Sequence, residues 1–264
     1  MSSPPAGGAG APPGWLGHAR AHHVTCTSTS DLALAAARAG AAHGTVITAG
    51  AQTAGRGRLG RAWASPPGAS VYLSAVIRAA RPLAELAPLT LAIGVGVVDA
   101  ARAAGVAATL KWPNDVLVGE RKLAGVLCEV AGDGCVVAGI GVNVNAGRDA
   151  WPAEVAARAT SLALELGHPV DLARFTDQLL AAVEPWIDRF LAGGVPAIAA
   201  AWEARMTPGL RLRVERGAAQ GAVTGTALGL DRDGALRLRG DDGVIHRIVA
   251  GDVALVDPPA RADR

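Results

Sequence analysis

The sequence predicts a mixed α/β (α+β) domain followed by a small β-barrel, and three observations carry that expectation. Ala-rich stretches of helical period alternate with short runs of β-branched residues as far as Arg205. Beyond Thr207-Pro208 the helical period stops, and five short alternating runs follow, separated by turns such as Asp231-Arg232-Asp233-Gly234 and Asp241-Asp242-Gly243. At 264 residues the chain can bury one substantial core and support a smaller second unit. The expected division is a disordered tail over 1–20, a large domain over 21–206 and a barrel over 207–258.

Residues 1 to 14 are almost wholly Gly, Ala, Pro and Ser, with neither a basic leader nor a long apolar core, which reads as a tail and not a signal peptide. His18, His22 and His23 follow; without a third ligand at metal-binding spacing they read as a surface cluster. Cys26 to Asp31, then LALAAARA and Gly40, read as a short strand, a capped helix start and a terminating glycine. Ser28 to Ser30 supply that cap, and as an alternative offer hydroxyls to a ligand at the helix N-terminus. Thr45 to Thr48 is a strand.

Gly55, Gly57 and Gly60 satisfy G-x-G-x-x-G, but the dinucleotide fingerprint requires a helix to open at once and an acid about 20 residues on. Ala62 to Gly68 contains Pro66-Pro67 and starts no helix, and the next acid is Glu85. What remains is a mobile loop with three arginines and no acid, expected to stay open until a polyanion pairs with its guanidiniums.

Ser70 to Ile77 is a strand carrying the single Tyr, and Pro88 to Ala104 a buried helix in which Gly94 and Gly96 allow close packing. The charge-free run Leu86 to Val98 is too short to span a bilayer. Thr109 to Lys111 is a strand broken at Trp112-Pro113-Asn114-Asp115; hairpins follow around Gly119-Glu120 and Gly132-Asp133-Gly134. On the partner strand, Gly139 and Gly141 share one face, leaving room for a flat ligand. Asp171 to Leu191 is a capped amphipathic helix that Pro185 should kink or divide, and Pro196 to Arg205 is another helix.

The composition points to the region from Leu110 to Glu129. Lys111 and Lys122 are the only lysines among 25 Lys plus Arg, and Asn114, Asn143 and Asn145 are the only asparagines. Where a bias replaces Lys by Arg wherever it can, a surviving Lys marks a place for a compact ammonium, and a surviving Asn a place for both an amide donor and an acceptor. These residues are expected to build a polar site on adjacent strands and their turns. A net charge of +2 is too balanced to imply nucleic acid. Cys26, Cys128 and Cys135 show neither metal spacing nor an even count, which fits buried thiols in a reducing cytoplasm; a facing Cys128–Cys135 pair is the less favoured alternative.

Taken together, Ser28-Thr29-Ser30, Gly55-Arg56-Gly57-Arg58-Leu59-Gly60-Arg61, Lys111-Trp112-Pro113-Asn114-Asp115, Arg121-Lys122-Leu123-Ala124-Gly125 and Gly139-Ile140-Gly141-Val142-Asn143 resemble, in this order, the motifs of the biotin protein ligases of the biotin-[acetyl-CoA-carboxylase] type. The resemblance spans Thr25 to Asp257 and implies a catalytic domain with a central mixed β-sheet flanked by helices, plus a C-terminal SH3-like β-barrel. It implies biotin contacts at Ser28, Thr29, Ser30, Gln52, Gly55, Arg56, Gly57, Arg58, Lys122, Gly125 and Gly139. It implies ATP contacts at Arg58, Arg61, Trp63, Lys111, Asn114 and Asn143. Ser30 stands where the family usually has Asn, and Leu59 where a basic residue is common, which removes a charge from the loop.

The implied reaction joins biotin to AMP and then passes biotin to a lysine of a biotin carboxyl carrier domain. Bringing an anion to a polyanion calls for cations, and the expected catalytic set is Lys122, Arg58, Lys111 and Asp115, with Arg56 adding charge and Mg²⁺ on the phosphates but no assignable metal ligands. Lys122 is expected to bridge carboxylate and α-phosphate, residues 55 to 61 to act as a lid, and Asp115 to hold or deprotonate the acceptor lysine, whose ordinary pKa is ~10.4. Lipoate ligase is the rival within this fold. A biotin-responsive repressor is the rival outside it, disfavoured because about twenty residues before the first strand are too few for a helix-turn-helix. A single-function cytoplasmic ligase is therefore expected, with no nucleic-acid or membrane partner and a homodimer left open.

Overall fold

In a computed structural model of the chain, the described residues are 14–132, 134–217 and 221–256. The expected tail over 1–13, Asp133 of the second hairpin turn and the last expected barrel residues, 257–258, lie outside them. The larger part contains, in chain order, β1 (Arg20–His23), α1 (Thr29–Arg38), β2 (Val46–Ala49), β3 (Ser70–Arg78), α2 (Leu89–Ala103), β4 (Thr109–Lys111), β5 (Asp115–Val118), β6 (Arg121–Gly132), β7 (Cys135–Asn143), α3 (Ala153–Ala156), α4 (Leu162–Leu166), α5 (Leu172–Gly193) and α6 (Ala199–Glu203). Five further strands complete it: β8 (Arg211–Glu215), β9 (Ala222–Leu230), β10 (Leu236–Gly240), β11 (Ile245–Ile248) and β12 (Asp252–Leu255).

The first seven strands form one sheet in the order β1-β2-β3-β7-β6-β5-β4. β1 runs parallel to β2 and the remaining pairs are antiparallel, so the sheet is mixed, as expected. The two-residue period of β7 divides its faces. Val136, Ala138, Ile140 and Val142 join the main core with α2 and α5, whereas Val137 packs with Ala33 and Ala37 of α1. Gly139 and Gly141 share the α1 face, and α1 is too short to cover all of it. The uncovered part is where the cleft lies.

Ser28 caps α1, its side chain accepting from Ser30 N, and Gly40 leaves the helix at φ 92. The first strand is Arg20–His23 and not the Cys26 segment; His22 and His23 lie on it, and Cys26 makes a single bridge to Gln52. Trp15 and Leu16, inside the expected tail, are buried at 5% and 3% exposure. Gly14 N and Leu16 N donate to the Glu184 carboxylate at 2.6 and 2.8 Å, and Trp15 stacks on His43 with ring centroids 4.0 Å apart. A short apolar pair among Gly and Pro reads as tail because its acceptor sits on α5, 170 residues away.

Leu83–Ala103 has the length and apolar character of a membrane span. Its helix α2 is instead the centre of the core, with Leu89, Ile93 and Val97 fully buried. α5 is not divided at Pro185: it runs unbroken because Pro185 faces outward, where the missing N–H leaves its acceptor to solvent, while Val183, Ile187 and Phe190 pack inward. The expected helix over 196–205 is a turn, Val195–Ala197, followed by the short α6.

The five C-terminal strands pair antiparallel in the order β11-β10-β9-β8-β12, with no ladder between β11 and β12 among the described residues. Leu212, Val214, Leu236 and Leu238 belong to the same apolar cluster as α2. Trp112 Nε1 donates to Gly234 O at 3.0 Å, tying this sheet to the turn after β4.

The two helix glycines differ in what they face. A Cβ on Gly96 would lie 2.6 Å from Val183 Cα, which is backbone, whereas one on Gly94 would meet only the tip of Leu110 at 3.1 Å. Ala gains helix propensity of about 1 kcal/mol at either position, but overpacking costs about 1–3 kcal/mol where the backbone must move. Urea unfolding should therefore show Gly96→Ala clearly destabilised and Gly94→Ala close to neutral.

Candidate active site

The cleft on the α1 face holds about 920 Å³ of space counted out to its open mouth. Its walls come from the N-terminus of α1, the 52–63 loop, the turn between β4 and β5, and the glycine positions of β6 and β7. Both lysines of the chain meet here on one carboxylate. Asp115 opens β5 directly across from Lys111 on β4 and Gly125 on β6. The β5–β6 register shifts between Val116 and Leu117, and this bulge brings Lys122 to the Gly125 face, where strict alternation would turn it away. Lys122 Nζ lies 2.5 Å from Asp115 Oδ1 and Lys111 Nζ 3.2 Å from Oδ2. Burial pushes the Asp115 carboxyl up, but the two ammonium groups outweigh it and hold the group below the ordinary carboxylate range. A carboxylate so held is a weak base.

The floor is built of hydroxyls and glycine. Thr29 N and Oγ1 donate to Gln52 Oε1 at 2.8 and 3.2 Å, and Gln52 Nε2 donates to Ser65 Oγ at 3.0 Å. Thr29 and Ser30 also share Ser74 of β3, at 2.8 and 3.2 Å. A Cβ on Gly139 would lie 2.9 Å from Ser30 Oγ and would force that hydroxyl to move. The expected room for a flat ligand over Gly141 holds the Trp63 indole: a Cβ on Gly141 would fall 2.6 Å from that ring and one on Gly125 3.2 Å. Trp63 Nε1 is buried there without a hydrogen-bond partner, and Lys122 Nζ sits 5.3 Å from the ring centroid.

The Gly/Arg loop corrects the sequence expectation that its guanidiniums wait for a polyanion. Arg56 pairs with Asp31 at 2.7 Å and with Glu129 at 3.3 Å, and Arg61 pairs with Asp252. The loop itself has no acid, but α1, β6 and β12 supply them. Arg58 alone of the three makes no ion pair among the described residues; burial lowers its pKa, opposed by Asp115. Leu59 adopts φ 58, a left-handed conformation costly for a residue with a Cβ, and is 66% exposed.

The cleft thus gathers Ser28, Thr29, Ser30, Gln52, Arg56, Gly57, Arg58, Arg61, Trp63, Lys111, Asn114, Asp115, Lys122, Gly125 and Gly139. Gly55 and Asn143 do not line it. Gly55 is buried beneath the loop, its carbonyl accepting from Trp63 N at 2.8 Å. Asn143, 4% exposed, donates to Thr160 O at 3.0 Å and Lys122 O at 3.4 Å, and so positions the lysine from behind. Asn145, also expected in the site, exchanges hydrogen bonds with the Val170 backbone at 2.8 Å. Asn114 lines the cleft but spends its amide donor on Val126 O at 2.9 Å, fixing the turn to β6. The sequence reading missed Tyr72, Ile140, Asp252 and Val253 on the walls. The strand pattern could have signalled Tyr72, which precedes Ser74 by two residues; nothing local signals Asp252. Among the described residues no group of three or more His, Cys, Asp and Glu could hold a metal.

Residues 23–145 match the biotin/lipoate A/B protein ligase family and residues 212–256 the biotin protein ligase C-terminal domain. The chain is 41% identical over 221 residues to a biotin-[acetyl-CoA-carboxylase] ligase of Mycobacterium tuberculosis, covering 81% of this chain and 80% of that one. It is 34% identical over 245 residues to the bifunctional ligase/repressor BirA of Bacillus subtilis, covering 91% and 75% respectively. A biotin protein ligase from Aquifex aeolicus, solved in complex with biotin and ATP, superposes with a TM-score of 0.78 at 28% identity over 91% of this chain and 100% of that one.

Because the folded Asp115 pKa is depressed, its contribution to stability is fully present above the unfolded value and is lost as pH falls through the folded pKa. Thermal melts of the wild type minus those of Asp115→Asn should therefore give a difference that is flat from neutral pH to about 4 and shrinks only below it. A difference that already shrinks between neutral pH and that point would mean that the lysines do not hold the carboxylate ionised.

Proposed function

We infer that this chain, which belongs to the biotin protein ligase family, activates biotin with ATP and transfers it to a lysine of a carboxylase's biotin carboxyl carrier domain. The observation that carries the reading is the pairing of both lysines with Asp115 beside the Thr29–Gln52–Ser74 floor, in one cleft lined by five cationic side chains and two carboxylates. With Arg56 and Arg61 paired to acids, the positive charge left over rests on Arg58 and on the two ammonium groups sharing Asp115, and it favours a ligand pair that is anionic at its junction.

In the first step a biotin carboxylate oxygen bonds to the α-phosphorus of ATP, and the bond to the β-phosphate oxygen breaks. Biotinyl-5′-AMP and pyrophosphate result. In the second the acceptor lysine nitrogen attacks the acyl carbon, AMP leaves, and the lysine proton passes to solvent. We assign biotin's polar head to Ser28, Thr29, Ser30 and Gln52 with Gly139 beneath, and the nucleotide to Arg58, Arg61, Trp63, Lys111 and Asn114. Lys122 lines the same cleft as both groups and is assigned to the carboxylate and α-phosphate, stabilising charge as it builds. Its short bond to Asp115 orients the ammonium before substrate arrives. Mg²⁺ would supply charge neutralisation on the triphosphate; the two cleft carboxylates, Asp115 and Asp252, are already ion-paired. The indole of Trp63 must stack on, or yield to, any planar group that reaches Gly125 and Gly141. We place the boundary between the catalytic domain and the C-terminal domain at 206/207. The reaction is placed in the cytoplasm, in keeping with three free thiols.

Mixing the protein with biotin, ATP, magnesium and a carboxyl carrier domain should add the mass of one biotin less one water to the acceptor. Lys122→Ala should lower biotin-dependent pyrophosphate exchange by about 100-fold or more, and Lys122→Arg should not restore it. Undiminished exchange in either variant would remove Lys122 from the chemistry.

A further inference from the structure

Among the described residues, the second sheet reaches the cleft wall at one place, Asp252 and Val253 at the start of β12. Asp252 is held there by backbone. It stands across from Glu215 in the β8–β12 ladder, and the preceding Gly251 passes so near that a Cβ would meet Glu215 O at 2.8 Å. Its carboxylate pairs with Arg61 at the far end of the Gly/Arg loop and also acts favourably on the Arg58 charge. Arg56, at the near end, has its own partners in Asp31 and Glu129. A fixed negative charge therefore stands on the wall assigned to a triphosphate. With side chains 60% and 52% exposed, the Arg61–Asp252 pair is weak and readily exchanged for a stronger anion.

We propose that Asp252 is a stand-in anion: it keeps Arg61 at the cleft in the absence of nucleotide and competes with the phosphates for that guanidinium, so that the C-terminal sheet sets the affinity for ATP. The proposal rests on the reading of this cleft as the ATP site. Asp252 is a positioning residue acting through Arg61. Nucleotide entry breaks the Arg61–Asp252 pair and brings phosphate charge toward the carboxylate; an amide at 252 removes both penalties.

The test is equilibrium titration of the full-length protein with MgATP at low ionic strength, with the biotin dissociation constant as the check that each variant is folded. Asp252→Asn should bind MgATP about two- to fivefold more tightly than wild type, the range available to one exposed ion pair. That gain should fade as salt is raised, Asp252→Glu should keep wild-type affinity, and in an Arg61→Ala background the gain should be smaller. Unchanged or weakened MgATP binding by Asp252→Asn, while wild type binds normally, overturns the role given to Asp252 alone. A wild-type protein that binds no MgATP overturns the reading of the cleft, and this inference with it.

Discussion

A single carboxylate between two ammonium groups is the constraint around which the cleft is built. Buried charge is expensive unless paired and hydrogen-bonded, so Lys111 and Asp115, at 11% and 16% side-chain exposure, are tolerable only together, and the half-exposed Lys122 adds a second ammonium to the same carboxylate. Each neighbouring feature serves that set. The turn at Trp112 to Asn114 returns the chain so that β5 starts opposite β4, the β6 bulge re-aims Lys122, and Asn143 grips the Lys122 carbonyl from the opposite side. The Lys122 backbone is further fixed by its N–H to Arg158 O at 2.7 Å and its carbonyl to Thr160 N at 2.9 Å. What results is cationic but rigid, which is the condition for stabilising charge without reorganisation.

The sheet supplies the position and the glycines supply the depth. Since Gly125, Gly139 and Gly141 fall on one face and on neighbouring strands, backbone is exposed where side chains would otherwise stand. Serine hydroxyls from α1 reach into that space from one side and the Trp63 ring from the other. The loop carrying Trp63 is bound at both ends by arginines whose partners lie on different elements. Cleft geometry is thus a property of the whole fold, including the second sheet.

Much of this was legible in residue order. The strands, the α2 glycines, the α1 cap and the two turns around β5 follow from period and punctuation, and the scarcity of Lys and Asn led directly to Lys111, Lys122 and Asn114. At Asn143 and Asn145 scarcity led to amides that clamp backbone, Asn143 by donating to two carbonyls and Asn145 by donating and accepting, so an amide clamp and a ligand contact look alike in sequence. The loop is acid-free as read, but Arg56 and Arg61 are already paired because Asp31, Glu129 and Asp252 arrive from three distant elements, and ion pairing leaves no local trace in sequence. Trp15 failed likewise, since its environment is α5 and not its flanking prolines.

The orphan N–H of Trp63 has an optical corollary. Of six tryptophans, Trp15, Trp112, Trp151, Trp186 and Trp202 are sealed at 9% exposure or less, and Trp63 alone stands on the cleft wall. A ligand on that wall therefore perturbs one indole directly, over the steady emission of five buried ones, and the molecule carries its own fluorescent gauge of occupancy without a label.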